Sequence, residues 1–137
     1  MFLKVARWPA LVLGLLLCLL APLAAAAAPR MVSAGVDELS LRTGPGTRYE
    51  ALWTVVKGYP LKVLSKRGNW LKVSDFENDK AWVYAPMTSK TPHHVVKAQR
   101  ANLRRSPTTG SAIVAKLQYG DVLRTPRRRG SRLKVRL

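Results

Sequence analysis

Cysteine and histidine are almost missing from this sequence, and acidic side chains are scarce. The one cysteine, Cys18, sits inside an N-terminal apolar run, and the two histidines, His93 and His94, are neighbours. Once Cys18 leaves with that run, the chain has no disulfide framework, no thiolate nucleophile and no cysteine metal site. Adjacent side chains on an extended backbone point to opposite faces, so His93 and His94 do not converge on a metal and are expected in a solvated linker. Glu77 and Asp79 flank a turn beside Lys80, where solvation of the turn accounts for them. A hydrolase needs a nucleophile with a base, paired carboxylates, or a metal with its ligands. None of these is assembled here, so neither enzyme activity nor a cofactor or metal is expected. A sustained helical period is missing as well, which leaves strands as the building elements.

The excess is positive charge: 24 Lys and Arg against seven Asp and Glu, a formal net charge of +17. Such a field attracts anionic polymers at low salt and is screened over about 10 Å at 0.1 M. At the N-terminus, Lys4 and Arg7 precede the apolar run Ala10 to Leu23 and the small-residue stretch Ala24 to Ala28. Charged, apolar and small segments in that order make a secretory signal peptide, expected to span residues 1–26 and to be cut after Ala26. The apolar run is shorter than the roughly 20 residues needed to cross a bilayer. Leu17 before Cys18 argues against a lipid anchor, which takes a small residue there. The expected address is secreted or periplasmic.

The exported part repeats itself. Leu41 to Val73 aligns without a gap on Leu103 to Val135, 62 positions later, and Leu41, Arg42, Pro45, Thr47, Gly58, Leu61, Arg67, Gly68, Leu71, Lys72 and Val73 meet the same residue type. An internal repeat sets the architecture before any local reading does. Within the first copy, Leu39 and Leu41, Val55 and Val56, Leu61 and Val63, and Leu71 and Val73 lie in short apolar or alternating runs bounded by Gly, Pro or Asn, which predicts strands. Gly44-Pro45-Gly46, Arg67-Gly68-Asn69 and Glu77-Asn78-Asp79 supply the turns. The second of these predicts a hairpin of Leu61–Lys66 with Trp70–Asp75. Roughly five short strands in so small a unit suit a small, partly open barrel that hides its sheet edges.

These residues carry a family resemblance. Ser40, Leu41, Arg42, Gly44 and Pro45, then Lys57 and Gly58, then Gly68, Trp70, Lys72 and Val73, then Trp82 and Val83 resemble the ordered landmarks of the bacterial SH3-like (SH3b) domain. Thr43 and Ala81 depart from its usual Ser and Gly. The resemblance implies an all-β, SH3-like barrel at residues 36–86 and a second, incomplete one at 93–137. Pro29 to Ala34 is expected to be a mobile lead-in, and Met87 to Pro92 a short polar connector. In the second copy Ser106 and Thr108 replace turn glycines, Arg132 stands where Trp70 stood, and nothing corresponds to Phe76–Pro86. Its closing strand is therefore expected to be lacking, through truncation or frame-shift of the coding region, through supply from another chain or ligand, or because the half-module packs on the first or stays poorly ordered.

The first copy has six tyrosines and tryptophans, Tyr49, Trp53, Tyr59, Trp70, Trp82 and Tyr84, whereas the second has only Tyr119. Aromatics with polar tips suit shallow recognition of peptides or sugars. Trp70 alternates with Leu71 and Val73 and is expected to face away from them, half exposed, as the foremost ligand-binding candidate. Tyr49 lies where the resemblance places a rim of the peptide groove. Trp82, beside Val83, is kept as a candidate although a core position is the first expectation for it. Arg42, which recurs as Arg104, either clamps a ligand carboxylate or bonds the carbonyls of its own turn. Arg127–Arg129 forms a basic run that suits anions.

What the resemblance implies is a non-catalytic binding module of the bacterial cell envelope, recognising cell-wall peptides or an envelope protein. An electrostatic binder of anionic lipid or polysaccharide is one alternative, and an accessory or targeting subunit of a cell-wall hydrolase another. Nucleic acid is physically possible as a partner but lies in the wrong compartment.

Overall fold

A computed structural model describes residues 27–129 and 132–136. The leader expected at residues 1–26 lies outside them. Seven strands build the first unit: β1 (Met31–Ala34), β2 (Glu38–Arg42), β3 (Ala51–Val56), β4 (Pro60–Arg67), β5 (Trp70–Ser74), β6 (Lys80–Tyr84) and, after one 3-10 turn at Ala85–Met87, β7 (Thr88–Ser89). They hydrogen-bond in the order β3-β2-β6-β5-β4-β1-β7. Every pairing is antiparallel, and the sheet is the all-β architecture that the alternating runs predict.

Period-two alternation decides which side chains meet. Leu39 and Leu41 on β2, Leu61 on β4, Leu71 and Val73 on β5 and Val83 on β6 are all at most 1% exposed. Val32, Ala34, Val55 and Ala81 complete the cluster. Burying one Leu or Val fully contributes about 1.5–3 kcal/mol over leaving it exposed, so these positions dominate the stability of so small a core. Arg67 pairs with Trp70 across a two-residue loop in which Gly68 takes φ +56°, a region where a Cβ is penalised. The next turn is closed by Asp75, whose Oδ1 accepts the backbone N–H groups of Glu77 and Asp79, both at 2.9 Å, around Asn78 at φ 71°.

The lead-in expected at Pro29–Ala34 is corrected by the structure. Met31–Ala34 is an interior strand between β4 and β7, and Val32 and Ala34 belong to the core. The Ala34 N–H donates to the Tyr59 carbonyl at 3.0 Å, and the Ser33 hydroxyl donates to the Thr91 carbonyl at 3.0 Å. The connector is corrected too, since Thr88 and Ser89 within it pair with β1.

The remaining strands are β8 (His93–Val95), β9 (Arg100–Arg104), β10 (Ile113–Gln118), β11 (Val122–Arg129) and β12 (Arg132–Arg136). His93 and His94 thus stand in a strand that pairs with β11, not in a solvated linker. Each of these five strands begins 62 positions after its counterpart among β1 to β5. Main-chain contacts recur at the same spacing: Gly58 N–H to Ala34 O is matched by Gly120 N–H to Val96 O, both at 2.8 Å. Strand β6 joins β2 to β5, and among the described residues nothing joins β9 to β12 in that way. These strands therefore divide into a β10-β9 sheet and a β12-β11-β8 sheet. Leu117 and Leu123 are their buried apolar side chains among the described residues.

Candidate ligand-binding face

Strands β5 and β6 present two faces with opposite chemistry. Their register pairs Trp70 with Tyr84, Leu71 with Val83, Lys72 with Trp82 and Val73 with Ala81. Leu71, Val73, Ala81 and Val83 point into the core, so Trp70, Lys72, Trp82 and Tyr84 stand together on the outside, each half-buried. The core position first expected for Trp82 is corrected: the small Ala81 and Val83 occupy the inward sites of β6, and alternation turns the indole out. On its other side Trp82 pairs with Arg42 of β2. The Trp70 and Tyr84 rings lie 5.4 Å apart between centroids at 48°, the tilted contact that aromatic quadrupoles favour. Four neighbouring side chains therefore make a shallow aromatic surface with a lysine inside it.

Arg42 borders this surface with its guanidinium turned toward the Gly-Pro-Gly loop. Its Nη1 donates to the Tyr49 carbonyl at 2.8 Å and the Thr47 carbonyl at 3.2 Å. Arg104 does the same in its own turn, donating from Nη1 to the Ser111 carbonyl at 2.7 Å. Of the two roles open to Arg42, the turn-bonding one is visible. Tyr49 is half-buried, its ring laid on Gly44: a Cβ at residue 44 would overlap the ring, 2.5 Å from Cε1. The Arg48 guanidinium lies 5.2 Å from the centroid of the same ring, a cation–π contact. Arg42 thus pairs with Trp82 across the strands and bonds the backbone carbonyl of Tyr49.

The model of the family described as bacterial SH3 domain matches residues 37–89, which run from the start of β2 to the end of β7. This first unit is a bacterial SH3 domain. No curated protein matches the chain. Bacterial SH3 domains are generally non-catalytic binding modules, commonly related to the cell wall, and are typically extracytoplasmic.

The far end of the SH3 domain carries an arrangement that residue patterns did not reveal. Phe76 packs, tilted, between Tyr59, 5.9 Å away, and Tyr119 of the β10–β11 turn, 5.5 Å away. The Tyr119 hydroxyl donates to Glu77 Oε1 at 2.9 Å. Burial, then the neighbouring Asp75 and Glu77 carboxylates, push the Tyr59 hydroxyl up to about 12. Tyr119 is also raised, first by its hydrogen bond to Glu77. One carboxylate oxygen each from Asp75, Glu77 and Asp79 falls within 4.8 Å of the others, a spacing a cation can use. The backbone bonds to Asp75 Oδ1 already account for that geometry as turn closure. His93 and His94 diverge, Nδ1 of His93 lying 2.9 Å from the Thr91 carbonyl and Nδ1 of His94 2.8 Å from the Thr125 hydroxyl.

Proposed function

We propose that this SH3 domain is a non-catalytic recognition module of the bacterial cell envelope that takes cell-wall peptides, or an extended segment of an envelope protein, on the face formed by Trp70, Trp82, Tyr84 and Lys72. The observation that supports this reading is the β5–β6 register, which puts three aromatics and a lysine in one outward patch while four aliphatic neighbours fill the core. Flat aromatic side chains supply contact area at small entropy cost, and their polar tips can bond a peptide backbone. Lys72 adds an ammonium for a ligand carboxylate. Tyr49, held against Gly44, forms the rim, and Arg42 holds the loop that carries it. Export of the chain and a matching domain built from β8–β12 belong to the same proposal, supported by the leader pattern and by the 62-residue recurrence of strands.

The test is a pull-down of purified protein on intact cell wall at low and high salt. Recognition on the aromatic face predicts binding that persists at high salt and is lost with Trp70→Ala. Binding that collapses with salt and ignores Trp70→Ala would instead assign the interaction to the net charge of +17, the mark of an anionic lipid or polysaccharide binder. Reproducible recovery of one hydrolase from envelope extract would assign an accessory role.

A further inference from the structure

Away from the aromatic face, a cleft of about 450 Å³ opens where the connector and β8 cross β1 and β4. That size falls within the roughly 300–1,000 Å³ of small-molecule sites. Its lining is largely apolar, with Val32, Pro60 and Phe76 from the first unit and Pro92 and Val95 from the connector and β8, beside His93 and His94. Three exposed lysines, Lys62, Lys90 and Lys97, line it from three separate segments.

Several of the neutral polar groups around the cleft are already paired. Strand β1 is paired on both edges, by β4 and β7. The Thr91 carbonyl accepts the Ser33 hydroxyl at 3.0 Å, the Thr91 N–H donates to Ser89 Oγ at 3.1 Å, and the Pro92 carbonyl accepts the Thr125 N–H at 3.0 Å. The Ser74 hydroxyl donates to the Asp75 carbonyl at 3.3 Å. Asp75, the carboxylate bordering the cleft, has its Oδ1 bonded to two backbone N–H groups. Among the described residues the free strand edge beside the cleft is that of β8, three residues long, so a peptide laid here would leave most of its own amides unpaired, which is costly. An apolar body with a single anionic head meets both features, the greasy floor and the lysine border.

We infer that this cleft binds one monomer of a single-chain anionic amphiphile, a free fatty acid, with its alkyl chain over Val32, Pro60 and Phe76 and its carboxylate among Lys62, Lys90 and Lys97. The site shares no residue with the aromatic face, so the two can succeed or fail separately. Isothermal titration calorimetry of the purified chain with dodecanoate below its micellar concentration is the test, with acetate and dodecyl maltoside as controls. One-to-one dodecanoate binding is expected, with none for acetate and at least tenfold weaker binding of the maltoside. The surface variant Lys62→Gln/Lys90→Gln, in which folding is not at stake, should weaken dodecanoate binding at least tenfold, as should Met31→Glu at the exposed, cleft-lining end of β1. Trp70→Ala should leave it intact. The inference is overturned by absence of binding, by equal affinity for the maltoside, by a stoichiometry well above one that the lysine changes do not alter, or by capture of anionic vesicles without monomer binding.

Discussion

The Tyr49 ring rests on Gly44, and the equivalent positions 62 residues later hold Ser111 and Ser106, where the Ser106 N–H donates to Ser111 Oγ at 2.8 Å. Ring and glycine are present together in one turn and absent together in the other, the second turn being closed by a hydroxyl in place of an aromatic lid. Gly44→Ala is expected to lift the ring and destabilise the SH3 domain by about 1–3 kcal/mol, the usual cost of overpacking. Denaturant unfolding measures it, and adding Tyr49→Ala to Gly44→Ala should recover part of the loss, since the clash then has no partner.

Trp70→Ala and Tyr84→Ala should each cost stability only modestly, about 0.5–1.5 kcal/mol for the lost ring pair, because neither side chain reaches the core. Their effect on ligand should be larger, about 2 kcal/mol or more if they anchor it. Cell-wall binding curves set beside unfolding midpoints separate the two effects. A Trp70→Ala chain that binds as well as the parent removes the aromatic face from consideration.

Arg42→Lys keeps the charge, but the side chain is one bond shorter and does not bring a donor to the place from which Nη1 bonds both the Tyr49 and Thr47 carbonyls. About 1–2 kcal/mol of stability should go with it, the net worth of a charged hydrogen bond at a half-exposed site. The unfolding midpoint should fall with the denaturant slope unchanged. If Arg42→Lys is instead silent in stability and abolishes wall binding, Arg42 serves the ligand and not the turn.

Tyr59 predicts a loss of stability in alkali. Its folded pKa, about 12, lies above the ordinary 10, so the folded form holds the proton more tightly. The associated stability is complete below pH 10 and drains away as pH rises toward 12. Tyr59 is only partly buried at the edge of the core, which damps the effect. Unfolding midpoints followed between pH 9 and 12 should fall for the parent and fall less for Tyr59→Phe, and ultraviolet absorbance titration should show a late-ionising component that Tyr59→Phe diminishes.

Much of this domain is legible in its residues. Leu39 and Leu41, Leu71 and Val73, and the turns at Gly68 and Asn78 announce strand positions and their boundaries, because alternation and positive φ are local properties of the chain. Trp70 is legible for the same reason, its neighbours being unmistakably inward. Trp82 is harder to place: indole is the larger apolar group and suggests burial, yet the inward site beside it is filled by Val83 and Ala81. Size favours one face and alternation the other, and alternation wins because β6 pairs on both sides with strands whose inward residues are already set.

From sequence alone came the repeat, the strand class and the outward turn of Trp70, all of which follow from spacings a few residues long or from direct comparison of two stretches. Tertiary structure alone decided that Val32 and Ala34 are core, that Tyr119 clasps Glu77 across 42 residues, and that apolar side chains and lysines from distant segments enclose one cleft. The reason is physical: burial and long-range hydrogen bonds belong to pairs of surfaces, and no single strand carries the information about which surface it will meet.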